Sequence, residues 1–249
     1  GDNPGGEPES LGSQRDLGSE FEKKHGIFEP SSVYPLFANS IRGNEGKSAN
    51  QHQEDIGNLF SRFSEIASEN EFSWFKIHRS VEEIVETTPQ NRMVSFPYTK
   101  YMNSIIRVNQ SAALVITSAK KAKELGIPTS KWIFMHGAGC INDIWNITER
   151  ENLHSSPAIR KCAEAIFSKA GLTQSDVSFY DLYSCFPSAV QIAKKEIGIP
   201  DKDTRDLTVT GGLPYYGGPG SAYVVNSLAS MVNKLRENQG SYGLVNANG

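Results

Sequence analysis

Residues 181–189 constrain the fold of this chain more than any other segment, because their pattern predicts a strand that turns directly into a helix. Residues 177–183 alternate along a strand, and Pro187 suits the first turn of a helix that ends at Gly198. The turn between them holds Cys185. A thiol at a helix start faces free backbone N–H groups, which favour anions and lower a thiol's pKa. Cys185 is therefore either a reactive sulfur at the edge of a sheet or a core residue, as free cysteines often are.

Length, charge and cysteine content narrow the class of protein. The 249 residues allow one large domain or two smaller ones, and a net charge of -3 without any basic run argues against nucleic-acid binding. No apolar run approaches the roughly 20 residues of a membrane helix, and no signal-peptide pattern occurs. Three cysteines without close pairing argue against disulfides and against a zinc site. We expect a soluble protein of the cytoplasm, or of another reducing intracellular compartment, with no bound metal.

The two halves of the chain differ in character. Residues 1 to about 47 are rich in Gly, Pro, Ser and Glu and are predicted to be loop with at most a short helix. A well-marked helix is predicted from Ser48, and a short one begins at the capping box of Ser80 and Glu83. Because the chain begins at Gly1 and stops soon after an apparent strand, we interpret it as a piece of a longer polypeptide.

From residue 97 onward, strand-like and helix-like segments alternate, which is typical of an α/β fold. The expected elements are helix 111–125, strand 131–135, helix 157–170, strand 177–183, helix 187–197, strand 207–210, a helix capped by Ser221 and strand 242–245. The glycine-rich loop, residues 211–220, matches neither GxGxxG nor the P-loop pattern, and the hydrolase elbow GxSxG is missing. The junctions at Cys185 and at residues 217–221 are close enough in the chain for their loops to open on one sheet edge.

Three loops of the second half occur in the order found in one enzyme family. Residues 181–186 resemble the thiolase loop that reads His or Asn, Glu or Asp, Ala or Cys, then Phe. Residues 217–222 resemble the Gly-His-Pro loop, and residues 246–249 stand in the place of the late Cys-x-Gly loop. The chain is similar to thiolase-superfamily enzymes of the sterol-carrier type, the thiolase-like acetyl-CoA acetyltransferases, over roughly residues 85–249.

The resemblance implies an α/β thiolase fold, layered αβαβα in the complete protein. Residues 91–100 and 110–114 look like the join between the two thiolase halves. Residues 1–85 would then be the end of the N-terminal half with a loop and helical cap, and residues 86–249 a C-terminal thiolase-like half. The implied activity is acyl transfer on an acyl-CoA thioester, with no bound cofactor. Thiolase-fold proteins pair their sheets edge to edge, which implies a homodimer and leaves room for an accessory subunit.

The catalytic loops depart from the family pattern. Thiolysis or Claisen condensation requires a cysteine nucleophile, a histidine that activates it and a second acid/base. Gly218 stands where the family has its histidine, Tyr183 where the first loop has His or Asn, and Asn246 where the late cysteine would be. The resemblance places the family's usual nucleophile before Gly1, and Cys185 matches the cysteine of the sterol-carrier-type variant of the first loop. The resemblance therefore implies an acyl-CoA site with altered chemistry.

The candidate site residues follow from these matches. We expect catalytic roles for Cys185, Tyr183 and Tyr223, and substrate binding by Gly217, Gly218, Ser221 and Asn246. In an acyltransferase, backbone donors before Pro187 and in the loop 217–221 would stabilise an enolate or oxyanion. One alternative is a thiolase-related retro-aldolase in which the two tyrosines carry protons. The other is a degenerate thiolase fold kept as a non-catalytic binding subunit.

Several other polar residues have ordinary structural interpretations. Cys162 lies in the apolar stripe of its helix and is predicted to be a core residue. His136 either lines the pocket or is a hydrogen-bonded loop histidine, and His154 is expected to face solvent. Tyr215 and Tyr216 are expected to pack, although a phenol on the glycine-rich loop can act as acid/base where histidine is missing.

Overall fold

The computed structural model describes residue 16 and residues 18–248. Residues 1–15, which make up much of the expected N-terminal loop, and Gly249 lie outside the described residues. Short 3-10 turns connect several of the elements. In chain order the helices and strands are α1 (Glu20–Lys24), α2 (Pro30–Asn44), α3 (Ala49–Glu69), α4 (Val81–Val85), β1 (Met93–Ser95), β2 (Tyr98–Thr99), α5 (Ala119–Glu124), α6 (Pro157–Ala170), β3 (Val177–Asp181), α7 (Pro187–Ile197), α8 (Tyr223–Glu237) and β4 (Tyr242–Val245).

The described strands form two small sheets. β1 pairs with β2 in antiparallel orientation, and β3 pairs with β4 in parallel orientation, with Asp181 opposite Val245. β3 runs directly into the Cys185 turn, and β4 runs into the loop that begins at Asn246. Because the carboxyl ends of parallel strands meet at one edge of a sheet, these two loops come together there.

The helix α3 is at the centre of the core. Ser48 and Gln51 form the capping box at its start, each side chain accepting the other's backbone N–H. The side chains on its buried face are spaced at helical intervals and pack beneath the glycine-rich loop; they are Ile56, Phe60, Phe63 and Ala67. The helix predicted from Ser48 is therefore confirmed.

The helix α2 shows that the expectation of a loop up to about residue 47 is wrong. Pro30 occupies its first turn, and Phe37 and Ile41 pack with Ile192 of α7. Ser, Asn and Gly residues interrupt the apolar pattern of this segment, so its local propensity for helix is low. Packing against α7 stabilises it, a contribution that the local sequence does not reveal.

The expected helix 111–125 is confined to α5. Its first part contains a run of β-branched residues, which lose side-chain freedom in a helix. The chain before it runs along the glycine-rich loop instead: Ile105 donates its N–H to Leu213, and Gly218 donates to the Ile105 carbonyl at 2.8 Å. These long-range hydrogen bonds hold the backbone extended.

Two predicted strands are irregular in the structure. Residues 131–135 have no hydrogen-bonded neighbour among the described strands, and their large side chains are mostly exposed. A strand requires a neighbour that pairs with its backbone groups. Residues 207–210 fold around the carboxylate of Asp181, which accepts two of their backbone N–H groups. Those amides are then unavailable for a sheet.

Local signals predicted the helices α6 and α7 well. Each has proline in its first turn and ends at a glycine in the left-handed region, Gly171 with φ 66° and Gly198 with φ 83°. The apolar stripe of α6 is less covered than expected, because Ala163 is buried while Cys162 and Ile166 are half-buried. The prediction that Cys162 is a core residue is therefore wrong.

The helix α8 also differs from its prediction. It begins at Tyr223 after a 3-10 turn, and no side chain caps it, so Ser221 is not its N-cap. The expected apolar face is largely half-buried or exposed; the buried side chains are Tyr223, Asn226, Ser227 and Met231. Part of this polar face has partners in the core, because the Tyr223 hydroxyl contacts Asp181 and Thr210 and the Asn226 side chain accepts from the Tyr216 hydroxyl. Within the described part of the chain, no helix combines the length and apolar character needed to cross a bilayer.

His52 is a buried polar group in the core. It is 1% exposed, and neither ring nitrogen has a hydrogen-bond partner among the described residues. Burial lowers its pKa below the ordinary 6.5 because the charged ring is poorly solvated. Glu45 and Asp55 partly oppose this effect, and Lys47 and Arg42 add to it.

We predict that His52 makes the fold less stable as pH falls. The unfolded chain binds a proton on this ring near pH 6.5 while the folded chain does not, so stability is lost below that pH. Urea unfolding at pH 7.5 and 5.5 should show a smaller pH effect in His52→Leu than in wild type. The variant should also gain about 1 kcal/mol at pH 7.5, since an unsatisfied polar group is removed. His78→Gln, at an exposed position, is the control; equal pH effects in wild type and His52→Leu would refute the prediction.

Candidate active site

Cys185 lies in the turn between β3 and α7, as predicted, but its side chain is buried away from water. The residue is 9% exposed. Burial raises the pKa of its thiol to about 12, and hydrogen bonds from the Tyr34 hydroxyl and from the backbone N–H groups of Phe186 and Cys185 only partly oppose this. This is the opposite of the lowered pKa that a helix start predicts. Cys185 is a neutral thiol at pH 7.

Tyr34 of α2 is a site residue that the sequence analysis missed. Its ring stacks on Phe186 with 4.5 Å between the centroids, and its hydroxyl hydrogen-bonds with Cys185 and with the side chain of Asn248. Burial, followed by the neighbouring Cys185, raises its pKa well above the ordinary value. The segment was interpreted as loop. A helical interpretation, with Tyr34 and Phe37 on one face, is the signal that would have found it.

The two tyrosines predicted to be catalytic lie side by side. The rings of Tyr183 and Tyr223 meet edge to face with 5.8 Å between their centroids. Tyr183 is half-buried, and burial together with Cys185 raises its pKa to about 12. Tyr223 is buried, and its pKa is raised well above the ordinary value by burial and then by Asp181. Both phenols therefore carry their protons at neutral pH.

Asp181 is a fully buried carboxylate behind Tyr223. Its Oδ1 accepts a hydrogen bond from the Tyr223 hydroxyl at 3.1 Å. Its Oδ2 accepts from the backbone N–H of Val209 at 2.9 Å and of Thr210 at 3.0 Å, and from the hydroxyls of Thr208 and Thr210, each at 3.0 Å. The Tyr223 and Thr210 hydroxyls are also 2.8 Å apart. Every group that contacts the Asp181 carboxylate donates a hydrogen bond to it. Asp181 is therefore a hydrogen-bond acceptor next to the tyrosine pair.

The loop after β4 reaches the same place. The Asn246 backbone N–H donates to the Asp181 carbonyl at 3.0 Å, and its side-chain Oδ1 accepts from the Tyr183 backbone N–H at 3.3 Å. Asn248 contacts the Tyr34 hydroxyl. The structure thus brings Cys185, Tyr183, Tyr223 and Asn246 into one cluster, with Asn246 holding the backbone that carries Tyr183.

The other predicted substrate-binding residues have different surroundings. Gly217, with φ 122°, adopts a conformation that favours glycine, and its backbone lies against the amide of Gln110. The N–H of Gly218 donates a hydrogen bond to the Ile105 carbonyl, which holds the glycine-rich loop against the segment at Ile105. Ser221 is exposed in the turn before α8. Substrate binding by these three residues stays a prediction.

The remaining candidates are peripheral to the cluster or support it. Tyr216 donates its hydroxyl to Asn226 at 3.0 Å, and its ring lies 6.2 Å from that of Tyr223. His136 is exposed and meets the Tyr242 ring edge to face. His154, expected to face solvent, is half-buried. Among the described residues, no three His, Cys, Asp or Glu side chains come together as metal ligands would.

Comparisons with known proteins decide the family. No family model matches the chain. It superimposes with a TM-score of 0.85 on the crystal structure of a monomeric SCP2-thiolase-like protein type 1 (STLP1) from Mycobacterium smegmatis, at 33% identity over 94% of this chain and 52% of that one. It is 24% identical to sterol carrier protein 2 of Rattus norvegicus over 80% of this chain and 36% of the relative. The chain belongs to the thiolase superfamily and is of the sterol-carrier type.

Two further matches agree with this thiolase-superfamily assignment and with the predicted α/β fold class. Benzoylsuccinyl-CoA thiolase subunit BbsB of Thauera aromatica is 24% identical over 88% of this chain and 57% of the relative. An Ltp2-ChsH2(DUF35) aldolase structure aligns with a TM-score of 0.68 at 18% identity, which shows a shared fold. The chain spans from about a third to somewhat over half of these relatives' length.

The site of this thiolase-superfamily chain combines neutral proton donors with the carboxylate of Asp181, a hydrogen-bond acceptor that lies behind Tyr223. Tyr34, Tyr183 and Cys185 carry their protons at neutral pH, as phenols and thiols ordinarily do, and desolvation raises the pKa of each further. Such donors can stabilise negative charge that develops on a thioester carbonyl oxygen. Tyr223 differs from the others because its hydroxyl contacts the Asp181 carboxylate, so it can accept one proton while passing on another.

We predict that Cys185 is a poor nucleophile. With a pKa of about 12, about one thiol in 10⁴ is ionised at pH 8, and the thiolate is the reactive form. Iodoacetamide at pH 8, followed by peptide mass spectrometry, should modify the exposed Cys140 first and leave Cys185 largely unmodified. Urea-unfolded protein, in which all three thiols are accessible, is the control. Modification of Cys185 as fast as that of Cys140 in folded protein would show that the thiol is activated.

Proposed function

We propose that the protein acts on an acyl-CoA thioester and cleaves or forms a carbon–carbon bond beside the thioester carbonyl, as an aldolase does, with tyrosines carrying the protons. The observation that carries this proposal is the pairing of Tyr223 with Asp181 at 3.1 Å, next to Tyr183. The buried, protonated thiol of Cys185 makes covalent catalysis by that residue the weaker hypothesis.

In the cleavage direction the substrate is a β-hydroxyacyl thioester. Tyr223 takes the proton of the substrate hydroxyl while its own proton passes to Asp181. The bond between the α- and β-carbons breaks, the β-carbon becomes a carbonyl, and the electron pair forms an enolate of the thioester. Tyr183 donates a proton to the α-carbon and recovers one from Asp181 through Tyr223. The net change moves one proton from the hydroxyl to the α-carbon.

The neutral groups around the tyrosine pair support this chemistry. Hydrogen bonds stabilise a developing enolate oxygen most strongly when the site excludes water and the donors are already in position. Tyr34 is suited to this role because it is held by its stacking on Phe186 and by its contacts with Cys185 and Asn248. Its partial exposure leaves an edge that a ligand can reach.

The family relatives support the substrate class. The BbsB relative is named as a subunit of a CoA thiolase, and STLP1 as an SCP2-thiolase-like protein, so an acyl-CoA thioester is the substrate class we assign by analogy. The aldolase with a related fold is an instance of the reaction type we propose.

The second candidate is the thiolase-like acyltransferase expected from the sequence. The matches to proteins named 3-ketoacyl-CoA thiolase, such as that of Salmonella typhimurium at 24% identity over 58% of this chain, favour it. Acyl transfer through Cys185 itself would require its thiolate, which the surroundings of that residue disfavour. A third possibility, a binding subunit without activity, is an outcome of the test below.

The test compares variants on β-hydroxyacyl-CoA and acyl-CoA thioesters. Release of an aldehyde or ketone reports cleavage, and release of free CoA reports acyl transfer. We expect Tyr183→Phe and Tyr223→Phe to lower kcat for cleavage by about 10² to 10⁴, the usual worth of a positioned acid or base. Asp181→Asn should lower it comparably, whereas Cys185→Ala should keep kcat within about tenfold.

Tyr242→Phe is the matched control, because that tyrosine contacts His136 outside the cluster. Circular dichroism confirms that each variant is folded. CoA release that depends on Cys185 and survives the tyrosine changes would establish the acyltransferase instead. Binding of CoA thioesters without turnover of any substrate would leave the binding subunit as the function.

The assembly state stays a prediction. The family resemblance implies a homodimer, whereas STLP1 is described as monomeric and the aldolase structure contains a second, DUF35 component. We expect light scattering of the intact protein to give the mass of a homodimer. The mass of a single chain, independent of protein concentration, would contradict this expectation.

A further inference from the structure

A pocket of about 300 Å³ lies on the side of the glycine-rich loop that carries Tyr215. None of the residues that line it belongs to the cluster around Cys185. Aromatic and apolar walls are provided by Phe75, Tyr101 and Pro214, and the polar groups include Arg79, Lys100 and Tyr215. Its volume is at the lower end of the range for small-molecule sites.

The walls of the pocket are held by the backbone. The Phe75 N–H donates to the Tyr215 carbonyl at 3.0 Å, and the Trp74 N–H donates to the Tyr216 carbonyl at 2.8 Å. These bonds join the segment between α3 and α4 to the glycine-rich loop. These hydrogen bonds therefore fix the positions of Phe75 and Tyr215, two residues of the pocket wall, relative to each other.

The pocket has positive charge that its own lining does not neutralise. Arg79 and Lys100 line it, and no carboxylate does. The guanidinium of Arg79 lies 3.9 Å from the centre of the Tyr101 ring, and its ion pair with the largely exposed Glu83 is long, at 4.0 Å. Within the described part of the chain, Lys100 makes no ion pair. An arginine over an aromatic ring, with a second cation in the same lining, favours an anion with a flat group attached.

Tyr215 lines the pocket, and its unpaired hydroxyl lies behind the pocket wall. The residue is 2% exposed, and its hydroxyl has no hydrogen-bond partner among the described residues. A buried, unpaired hydroxyl costs free energy, and such groups in native proteins call for an explanation. The positive charge of Arg79 acts on this hydroxyl. The hydroxyl is closed off from the pocket, so Tyr215 contributes to the wall through its other atoms.

We propose that this pocket binds a small anion, a carboxylate or phosphate, that carries a flat apolar group. Arg79 and Lys100 bind the charged end, and Phe75, Tyr101 and Pro214 contact the flat part. The site is separate from the residues assigned to catalysis. Its ligand is therefore either a free aromatic acid or the nucleotide end of a CoA compound, which share this chemistry.

Isothermal titration calorimetry of the intact protein tests the proposal with three probes. Benzoate represents the free aromatic acid, adenosine 3',5'-bisphosphate represents the nucleotide end of CoA, and inorganic phosphate provides charge alone. We expect at least one of the two ring-bearing probes to bind at least tenfold more tightly than inorganic phosphate. The tighter of the two identifies the source of the ligand.

Variants locate the binding. Arg79→Gln and Lys100→Met should each weaken the ring-bearing probe about tenfold, the loss expected for one charged hydrogen bond. Tyr215→Phe should change neither the affinity nor the thermal stability, because its hydroxyl is closed off from the pocket and has no partner to lose. The controls are Arg92→Gln, an exposed arginine outside the pocket lining, and Cys185→Ala.

Three outcomes would overturn the proposal. In the first, neither ring-bearing probe binds. In the second, inorganic phosphate binds as tightly as both ring-bearing probes. In the third, Arg79→Gln and Lys100→Met leave the affinity of the ring-bearing probes unchanged. None of the three outcomes depends on the catalytic proposal, because binding is measured without turnover. Loss of cleavage activity in the tyrosine variants with retained probe binding would separate the two sites.

Discussion

The buried carboxylate of Asp181 is the interaction on which the site depends. It ends β3, draws two backbone N–H groups of the segment 207–210 to itself, and fixes the Tyr223 hydroxyl at the start of α8. Burying a carboxylate is costly unless donors surround it, and here donors do. One side chain therefore joins a strand, a loop and a helix that are distant in sequence. The direction of the Tyr223 hydroxyl, which the proposed proton transfer requires, follows from this arrangement.

Burial outweighs the helix start at Cys185, and magnitudes show why. A helix N-terminus contributes about 0.3 to 1 kcal/mol to a nearby anion. The rise of the Cys185 pKa from 9.0 to about 12 corresponds to about 4 kcal/mol against the thiolate. The same motif that presents the sulfur at a sheet edge thus keeps it protonated. Phe186 of the surrounding core is part of the cause because it helps to exclude water, whereas the hydrogen bond from Tyr34 acts in the opposite direction.

The parts of the fold that could be predicted are those with local causes. Ser48 begins α3, and proline with a terminal glycine bounds α6 and α7, because caps act within one turn of the helix. The segments 131–135 and 207–210 have the sequence pattern of strands, yet a strand exists only if a neighbour pairs with it. In the second segment the neighbour is a side chain, and no periodicity in the sequence shows that.

The site residues that could be predicted are likewise those whose positions have a local cause in the sequence. Tyr183, Cys185 and Asn246 lie just beyond β3 and β4, and parallel pairing brings their loops together at one edge. Tyr34 comes from a helix far away in the chain, so only tertiary packing places it there. Gly218 stands where the resemblance places the histidine of the family. Among the described residues, the carboxylate that contacts a tyrosine of the site is Asp181, through the Tyr223 hydroxyl. The proposed proton relay depends on this contact.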